Sequence, residues 1–278
     1  MTATITPDAA TPSKTLVRAD LTPLQLHPLQ RAVRDAFVIV GRNLTVLRRM
    51  PTLIVFSSVQ PIIFVLLFRY VFGGAIETGG SYVDFLMPGI FAQTVTFGAI
   101  QTGIGLAEDA SSGLVDRLRT LPMSRGALLL GRTLSDLVRN MFVLLLMVVV
   151  GILVDFRPEV TFTGALLSIV VVLAWSFGVS WVAALIGLRT ADAETTQAVM
   201  FPLLFPLTFA SSAFVPTESM PSWLAAFANN QPLTHVVDSV RGLVTPGAQA
   251  GDPLISLAWS LGLVAVAAPL AIRAYRRL

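Results

Sequence analysis

His235 and Asp238 are the two side chains whose types and spacing come nearest to a catalytic arrangement. They lie three residues apart, so a helix would place them on one face. A general base or a metal site needs further groups around such a pair, and neither a nucleophile nor a ligand set accompanies them. The spacing is more typical of a pair that stabilises a helix. An acyl or glycosyl transferase acting in the membrane is therefore disfavoured.

Other side chains that carry catalysis or bind metals are scarce. Cysteine is absent, which excludes disulfides and thiolate sites, and His27 and His235 are too few for a multi-histidine metal centre in one chain. Lys14, the single lysine, follows Ser13 without the glycines of the phosphate-binding loop G-x-x-x-x-G-K-S/T. The sequence predicts a chain that is not an enzyme, with no cofactor and no ATP hydrolysis of its own.

The composition indicates that the chain is built from membrane helices, which must position the side chains named above. Of the 278 residues, 54% are hydrophobic and 13% are charged, and the mean hydropathy is +0.76. A water-soluble domain of this size needs more charge to cover its surface. Crossing a hydrocarbon core takes about 20 apolar residues. Six stretches can do so: residues 52–72, 85–107, 134–154, a part of 160–188, a part of 195–215, and 253–272. The predicted fold class is an all-α membrane protein with six transmembrane helices.

The segment before the first span divides into two parts. Residues 1–28 are rich in Thr, Ala, Pro and Asp, which predicts a disordered cytosolic tail. Residues 29–51 show apolar side chains at helical spacing with arginines mainly on the other side, and Pro51 ends the pattern. This favours an amphipathic helix in the membrane interface, although a helix packed on a soluble partner would show the same period.

Arginine and lysine predict the orientation. If the amino terminus is cytosolic, 15 of the 19 basic residues fall on the cytosolic side, against Arg157 and Arg241 outside. This distribution follows the positive-inside rule. We therefore expect a multi-pass protein of the cell (inner or plasma) membrane with both termini in the cytoplasm.

The external segment between the fifth and sixth spans, residues 211–244, is too apolar for an ordinary solvated loop. Prolines divide it into two short helices, residues 222–228 and about 233–244, and Trp223 suits the headgroup layer. The pattern favours a re-entrant helical hairpin that dips into the outer leaflet where protein covers its broken backbone. The hairpin residues singled out are Pro216, Pro221, Trp223, Pro232 and Arg241.

The source of energy is predicted to lie in a partner. Coupled carriers usually hold their ion on a carboxylate or histidine at mid-depth, and the spans show neither; Asp136 and Arg139 stand at the entrance of the third span. Between the second and third spans, Leu114, Leu118 and Leu121 share one helical face and Pro122 ends the helix. Such a cytosolic helix can dock into a partner's groove or rest on the membrane.

This segment resembles the cytosolic coupling segment of ABC-2 type exporter permeases, especially the daunorubicin-resistance-like branch. The residues that match are Gly113, Arg117, Arg119, Leu121, Pro122 and Ser124. The first span, with Gln60-Pro61 and Phe72-Gly73-Gly74, and the outer hairpin, with Met220-Pro221-Ser222-Trp223 and Asn230-Gln231-Pro232, are also similar to the family pattern. The resemblance covers nearly the whole chain from about Leu29, with residues 52–278 as the six-span ABC-2 type domain.

The resemblance implies an exporter that contains a second permease, identical or paralogous, and two copies of an ABC ATPase that bind ATP and Mg²⁺. No nucleic acid is implied, and membrane lipids would surround the permease. Contact with the ATPase would fall on the coupling segment: Gly113, Leu114, Asp116, Arg117, Leu118, Arg119, Leu121 and Pro122. Since Trp and Tyr number only 4 and 3, no aromatic ladder is obvious. The low number of these residues favours an amphipathic drug or a lipid over a sugar polymer as the substrate, as in multidrug export and antibiotic resistance.

A substrate path is expected where polar and aromatic residues of three spans could meet. Gly98 and its neighbours at four-residue spacing also fit close helix packing, and the phenylalanines could equally face lipid. The candidate path residues are Gln60, Phe64, Gln93, Phe97, Gln101, Phe205 and Phe209. The alternative function is an ion-coupled carrier or a channel that needs no ATPase.

Overall fold

The computed structural model describes residues 40–41, 45, 52–76, 78, 80–113, 127–245 and 251–277, and within these ranges the chain forms helices and no strand. The all-α fold class is therefore confirmed for the described residues. The tail predicted for residues 1–28 lies outside them. So does the interfacial helix predicted for residues 29–51, apart from the helical residues Val40, Gly41 and Thr45. The coupling segment after Gly113 is also outside the described residues.

Eight helices are described, and we number them in chain order. α1 spans Thr52–Leu67 and continues into a π-helical turn, Phe68–Phe72. The long helices that follow are α2 (Tyr82–Ser111), α3 (Ala127–Leu153), α4 (Phe162–Thr190) and α5 (Ala193–Phe209). A short 3-10 turn, Thr217–Ser219, leads to α6 (Ser222–Asn230) and α7 (Pro232–Val244), and α8 (Pro253–Arg277) completes the set.

A helix is present at each of the six predicted spans, and both short hairpin helices are confirmed close to their predicted bounds. Four helices, α2, α3, α4 and α8, are long and apolar enough to cross a membrane. The apolar helix of Ser57–Phe72 is shorter, and α5 has 17 residues. The chain is thus a multi-pass membrane protein, in which α1 and α5 are shorter than the other predicted spans.

Local sequence explains where the central helices begin and end. The hydroxyl of Thr161 accepts a hydrogen bond from the Gly164 amide and caps α4. The carboxylate of Asp192 accepts one from the Thr195 amide and caps α5. The hydrogen bonds from Thr195 lower the pKa of Asp192, which lies in the exposed turn between α4 and α5. Gly113 follows the end of α2 with a φ of +69°, the left-handed conformation that glycine adopts without strain.

α2 is the central helix of the bundle. It packs against α4, α5, α3 and α7, and 78% of its most apolar window is buried, against 22% for α8. The main core cluster includes Leu86, Ile90 and Val95 of α2 together with Trp175 of α4. A smaller cluster joins α4 to α8 around Trp181 and Tyr275. The buried polar side chains of α2 must therefore find their hydrogen-bond partners in the protein rather than in lipid or water.

The crossing of α2 and α4 is made at the backbone. A Cβ atom at Gly187 of α4 would overlap the carbonyl group of Gly103 of α2, and a Cβ at Gly103 would press on the Ala183 carbonyl. Small residues at such crossings let membrane helices approach closely. The position of α2 against α4 thus depends on glycine on both sides.

This contact predicts that Gly187→Ala destabilises the fold. The added methyl group forces the two backbones apart, and overpacking of this kind costs about 1–3 kcal/mol or more. Gly262→Ala is the matched control, because nothing lies within 4 Å of a Cβ at that exposed position of α8. We expect a lower melting temperature in detergent for Gly187→Ala and an unchanged or higher one for Gly262→Ala. Equal melting temperatures for the two variants would contradict the proposed crossing.

Candidate functional site

A cavity of about 600 Å³ lies between α1, α2 and α3. Its volume is within the range of about 300–1,000 Å³ that is usual for small-molecule sites. Four residues of the predicted substrate path line it: Gln60, Gln93, Phe97 and Gln101. The wall also includes Ser57 and Pro61 of α1, Glu108 of α2, and Arg132, Arg139 and Asn140 of α3. The structure thus brings the glutamines of the predicted path to one polar chamber.

Gln93 is the most unusual residue of this chamber. It is 2% exposed, and neither its amide nitrogen nor its amide oxygen has a hydrogen-bond partner in the described part of the chain. Burying a polar group without a hydrogen bond is costly. Gln60 and Gln101, in contrast, are exposed. Gln93 thus lines the cavity, while both polar atoms of its amide are buried without a hydrogen-bond partner in the described chain.

An ionic cluster joins α2 to α3 beside the cavity. The Thr102 hydroxyl donates to the Asp136 carboxylate, and the Arg139 guanidinium lies 3.0 Å from that same carboxylate. Arg139 also donates to the Gly98 carbonyl oxygen at 2.8 Å. Asp136, which the sequence places at the entrance of the third span, is 5% exposed and lies about 13 Å into α3, because this helix begins seven residues before the predicted span. Asp136 and Arg139 pair with each other on α3, and their bonds to Thr102 and Gly98 crosslink α3 to α2.

Glycines of α2 make room for polar side chains of α3. A Cβ at Gly98 would press on the side-chain oxygen of Asn140, and one at Gly105 would overlap the guanidinium of Arg132. Asn140 then donates to the hydroxyl of Ser176 on α4 at 2.7 Å. Arg132 pairs with Asp109 at 3.3 Å. The small-residue face of α2 therefore serves both helix packing and the lining of the cavity.

The phenylalanines of the predicted path form a column of rings that starts at the cavity. Phe97 contacts Phe201, which begins a run along α5 through Phe205 to Phe209, where the last two rings stack at 4.3 Å. Phe209 also contacts Phe64 of α1, with centroids 5.8 Å apart. The expectation of no aromatic ladder concerned tryptophan and tyrosine, and the rings in this column are all phenylalanine.

Beyond α5 the column of rings continues towards the π-helical turn. Phe214 stacks on Phe209 at 5.0 Å and on Phe68 at 4.5 Å, and Phe68 contacts Phe72. Phe201, Phe205 and Phe72 are each more than 40% exposed, so the column is open along one side. The spacing that could have revealed it is four residues: Phe64, Phe68 and Phe72 on α1, and Phe201, Phe205 and Phe209 on α5.

Arg241 fixes the outer hairpin to α2. Its guanidinium lies 3.8 Å from the centre of the Phe85 ring and donates to the carbonyl oxygens of Phe85 and Ser212. It also pairs with Asp238 at 2.7 Å, and Asp238 accepts a hydrogen bond from the Ser212 hydroxyl. The helical pair expected at Asp238 is thus with Arg241. The other prolines of the hairpin mark where its helices start: Pro216 precedes the 3-10 turn, Pro221 precedes α6, and Pro232 is the first residue of α7. Trp223 is exposed.

Burial shifts the titration of this outer pair. It lowers the pKa of Arg241 to about 10, against the opposing effect of Asp238. Burial also raises the pKa of Asp238, an effect that the hydrogen bond from Ser212 and the charge of Arg241 counteract. Since about 10 is still well above neutral pH, Arg241 keeps its positive charge and the hairpin its ionic anchor.

Comparison with known proteins decides the family. The model of the ABC-2 type transporter membrane domain matches residues 34–244. The chain belongs to the ABC-2 type transporter family. It is 33% identical to the daunorubicin resistance ABC transporter permease protein DrrB1 of Streptomyces coeruleorubidus, over 98% of this chain and 96% of that protein.

More distant relatives of this ABC-2 type permease include proteins of Mycobacterium tuberculosis and Cyanophora paradoxa. The probable doxorubicin resistance ABC transporter permease protein DrrC of Mycobacterium tuberculosis is 27% identical over 93% of this chain and 95% of that protein. The putative transport permease ycf38 of Cyanophora paradoxa is 27% identical over 76% of this chain and 74% of that protein. The resemblance to the daunorubicin-resistance-like branch is therefore confirmed.

The geometry of the outer anchor predicts that Arg241→Met destabilises the permease. The change leaves the Asp238 carboxylate without its cation, and breaking a buried ion pair in this way costs about 3–5 kcal/mol. Arg157→Met is the matched control, because the Arg157–Asp155 pair is mostly exposed and such pairs contribute about 0–1 kcal/mol. We expect thermal unfolding in detergent to show a large drop for the first variant alone. A similar small effect of both changes would show that Arg241 does not anchor the hairpin.

Proposed function

We propose that this chain is the transmembrane permease subunit of an ATP-driven exporter that moves an amphipathic drug or lipid out of the cytoplasm or the inner leaflet. Membership of the ABC-2 type family carries the proposal, and the partly open cavity with its glutamines and phenylalanines fits an amphipathic cargo. Two relatives are named for resistance to daunorubicin and doxorubicin, so we propose a drug of this kind as the first substrate to test.

The energy in this proposal comes from two copies of an ABC ATPase, which bind ATP and Mg²⁺. A second permease, identical or paralogous, completes the transporter in the surrounding lipid. The ATPase docks on residues 113–122, where Leu114, Leu118 and Leu121 supply an apolar face and Arg117 or Arg119 a polar contact. The π-helical turn at the end of α1 supports an active role for that helix, since π-turns are frequent at functional sites.

The proposed topology has six spans, including the short helices α1 and α5, and both termini in the cytoplasm. The helix of residues 29–51 lies in the inner interface, and α6 with α7 dips into the outer leaflet as a re-entrant hairpin. The basic residues support this orientation, since 15 of 19 lie on the side assigned to the cytoplasm. The substrate path runs from the cavity past Gln93 and Phe97 to the rings of Phe205, Phe209 and Phe64.

Single cysteines test the topology on this naturally cysteine-free chain. Ala75→Cys and Ser219→Cys should react with a membrane-impermeant thiol reagent added to intact cells, because the proposal places both positions outside. Ser124→Cys should react only after the cells are opened. Labelling of Ser124→Cys in intact cells, or protection of the other two positions, would refute the orientation.

Leu118→Asp tests the supply of energy. A carboxylate in a desolvated contact with the ATPase costs several kcal/mol, and about 3 kcal/mol already weakens association more than a hundredfold. We expect normal expression, loss of the co-purified ATPase and loss of ATP-dependent daunorubicin export from cells that express both subunits. Arg117→Glu should act in the same direction. Thr120→Ser, a conservative change in the same segment, should retain both ATPase and export.

Two results would contradict this function. Wild-type ATPase binding by both Leu118→Asp and Arg117→Glu would show that residues 113–122 only rest on the membrane. Substrate movement by the purified chain without any ATPase would favour the alternative, an ion-coupled carrier or a channel.

A further inference from the structure

α8 ends in three arginines that have no partner in the described part of the chain. Arg273, Arg276 and Arg277 are exposed, and no ion pair or hydrogen bond joins their guanidiniums to a described residue. The acidic residue that follows the neighbouring helix α4, Asp192, is used to cap α5. The arginines of the bundle interior differ, since each is paired with a carboxylate: Arg132, Arg139 and Arg241. The three charges at the end of α8 are therefore left for an external anion.

Packing against α4 fixes the position of these arginines. Tyr275 is 4% exposed and lies in one core cluster with Ala271 of α8 and Leu188 of α4, so α8 is held to the bundle almost to its last residue. Arg273, Arg276 and Arg277 follow one another at spacings of three and four residues, which places them on one side of the helix. That side is opposite to Tyr275. The arginines thus form a fixed basic cluster on the outer surface of the bundle.

An exposed apolar stripe of α8 leads directly to the basic cluster. Going back from Arg273 at spacings of four and three residues, the same side of the helix carries Pro269, Val266, Gly262, Trp259 and Ile255, all of them exposed. The stripe is about 21 Å long, which exceeds the depth of about 15 Å of one leaflet in a hydrocarbon core about 30 Å thick. An acyl chain of one leaflet can therefore lie along the stripe while its headgroup is level with the arginines.

The combination of charge and stripe favours a lipid over a soluble protein as the occupant. The planar guanidinium group matches phosphate oxygens with two parallel hydrogen bonds. Arginines directly beyond a membrane helix attract anionic lipids, and each contributes about fivefold to the binding. A soluble protein such as an ATPase reaches only the arginines, whereas a phospholipid covers the arginines and the apolar stripe together.

We propose that Arg273, Arg276 and Arg277 bind the phosphate of an anionic phospholipid whose acyl chain lies along the exposed stripe of α8. The inference rests on the proposed function only for the side of the membrane, since a cytoplasmic end of α8 places this lipid in the inner leaflet. Neither the ATPase nor the transported substrate takes part in the binding.

The test measures which lipid contacts the stripe, on the full chain in lipid nanodiscs. Val266→Cys gives the cysteine-free chain one thiol on the stripe, at a position that is 65% exposed. It lies seven residues, or about 10 Å, from Arg273, which is the depth of the middle of an acyl chain. A bimane fluorophore on this thiol is quenched by lipids that carry bromine at mid-chain. The nanodiscs contain equal amounts of phosphatidylglycerol and phosphatidylcholine and differ only in which of the two is brominated.

We expect phosphatidylglycerol to occupy the stripe about fivefold or more over phosphatidylcholine, the contribution of at least one arginine. Replacing Arg273, Arg276 and Arg277 together by Gln should bring this preference close to one. Their side chains are exposed and unpaired in the described chain, so the melting temperature in phosphatidylcholine nanodiscs should stay unchanged.

Two controls accompany this variant. Arg157→Gln removes an exposed arginine before the start of α4, whereas α8 ends beside the other end of α4, so the preference at Val266→Cys should persist. Bimane on Leu145→Cys reports the lipid around α3, where Leu145 is exposed away from the basic cluster. We expect a preference close to one at that position.

Four results would overturn the proposal. Two are a preference close to one with the arginines in place and an unchanged preference after their replacement; if the replaced chain also loses its co-purified ATPase, the cluster binds that protein instead. The third is an equal preference at Leu145→Cys, which would mean general enrichment of anionic lipid around the chain. The fourth is the absence of quenching at Val266→Cys by either lipid, which would mean that a second copy of the chain covers the stripe.

Failure of the proposed function is distinguishable from failure of this inference. The nanodiscs hold the same lipids on both sides and contain no ATPase, so the lipid preference does not depend on orientation or export. An incorrect function appears as wild-type ATPase binding in the variants of residues 113–122, or as transport without any ATPase, while the preference at Val266→Cys stays as expected.

Discussion

The structure depends on the enclosure of α2 by its neighbours. Five helices, α1, α3, α4, α5 and α7, pack around it, and at Gly103 its backbone touches α4 directly. A polar side chain on so buried a helix has no water to bind, so it must find a partner on an adjacent helix or remain unsatisfied at a cost. Thr96 meets this requirement by accepting a hydrogen bond from the Trp175 indole, and Thr102 does so through Asp136. The contacts between the helices follow from these pairings.

Two arginines of other helices hold α2, one near its beginning and one at its middle. Near its beginning, Arg241 of the hairpin binds the carbonyl and the ring of Phe85. Further along, Arg139 of α3 binds the carbonyl of Gly98. Gln93 lies between the two anchors, in the stretch where α2 faces the cavity. The unpaired amide of Gln93 thus lies between two positions at which arginines of other helices bind α2.

The column of phenylalanine rings arises from two stripes that meet. On α1 and on α5 the rings recur every four residues, so each helix presents them on one side. Phe214, in the turn after α5, lies between the stripes and stacks on Phe209 and Phe68. Pro202 and Pro206 stand next to the rings of α5 and remove backbone donors from its interior. The exposed rings of the column are Phe201 and Phe205 of α5 and Phe72 of the π-helical turn.

The sequence by itself determined the helical class, the positions of the long apolar helices and the two short helices of the hairpin. These features depend on local properties, namely hydropathy, prolines and helical spacing, which can be read along the chain. It also led to the family through residues such as Pro221 and Pro232. The contacts of Asp136 with Thr102, of Asn140 with Ser176 and of Arg241 with the Ser212 carbonyl were decided only by the tertiary structure, because each joins segments that are distant in sequence. The tertiary structure also decided that the Gln93 amide has no hydrogen-bond partner in the described chain. Whether a buried amide is paired depends on which neighbouring side chains reach it in space.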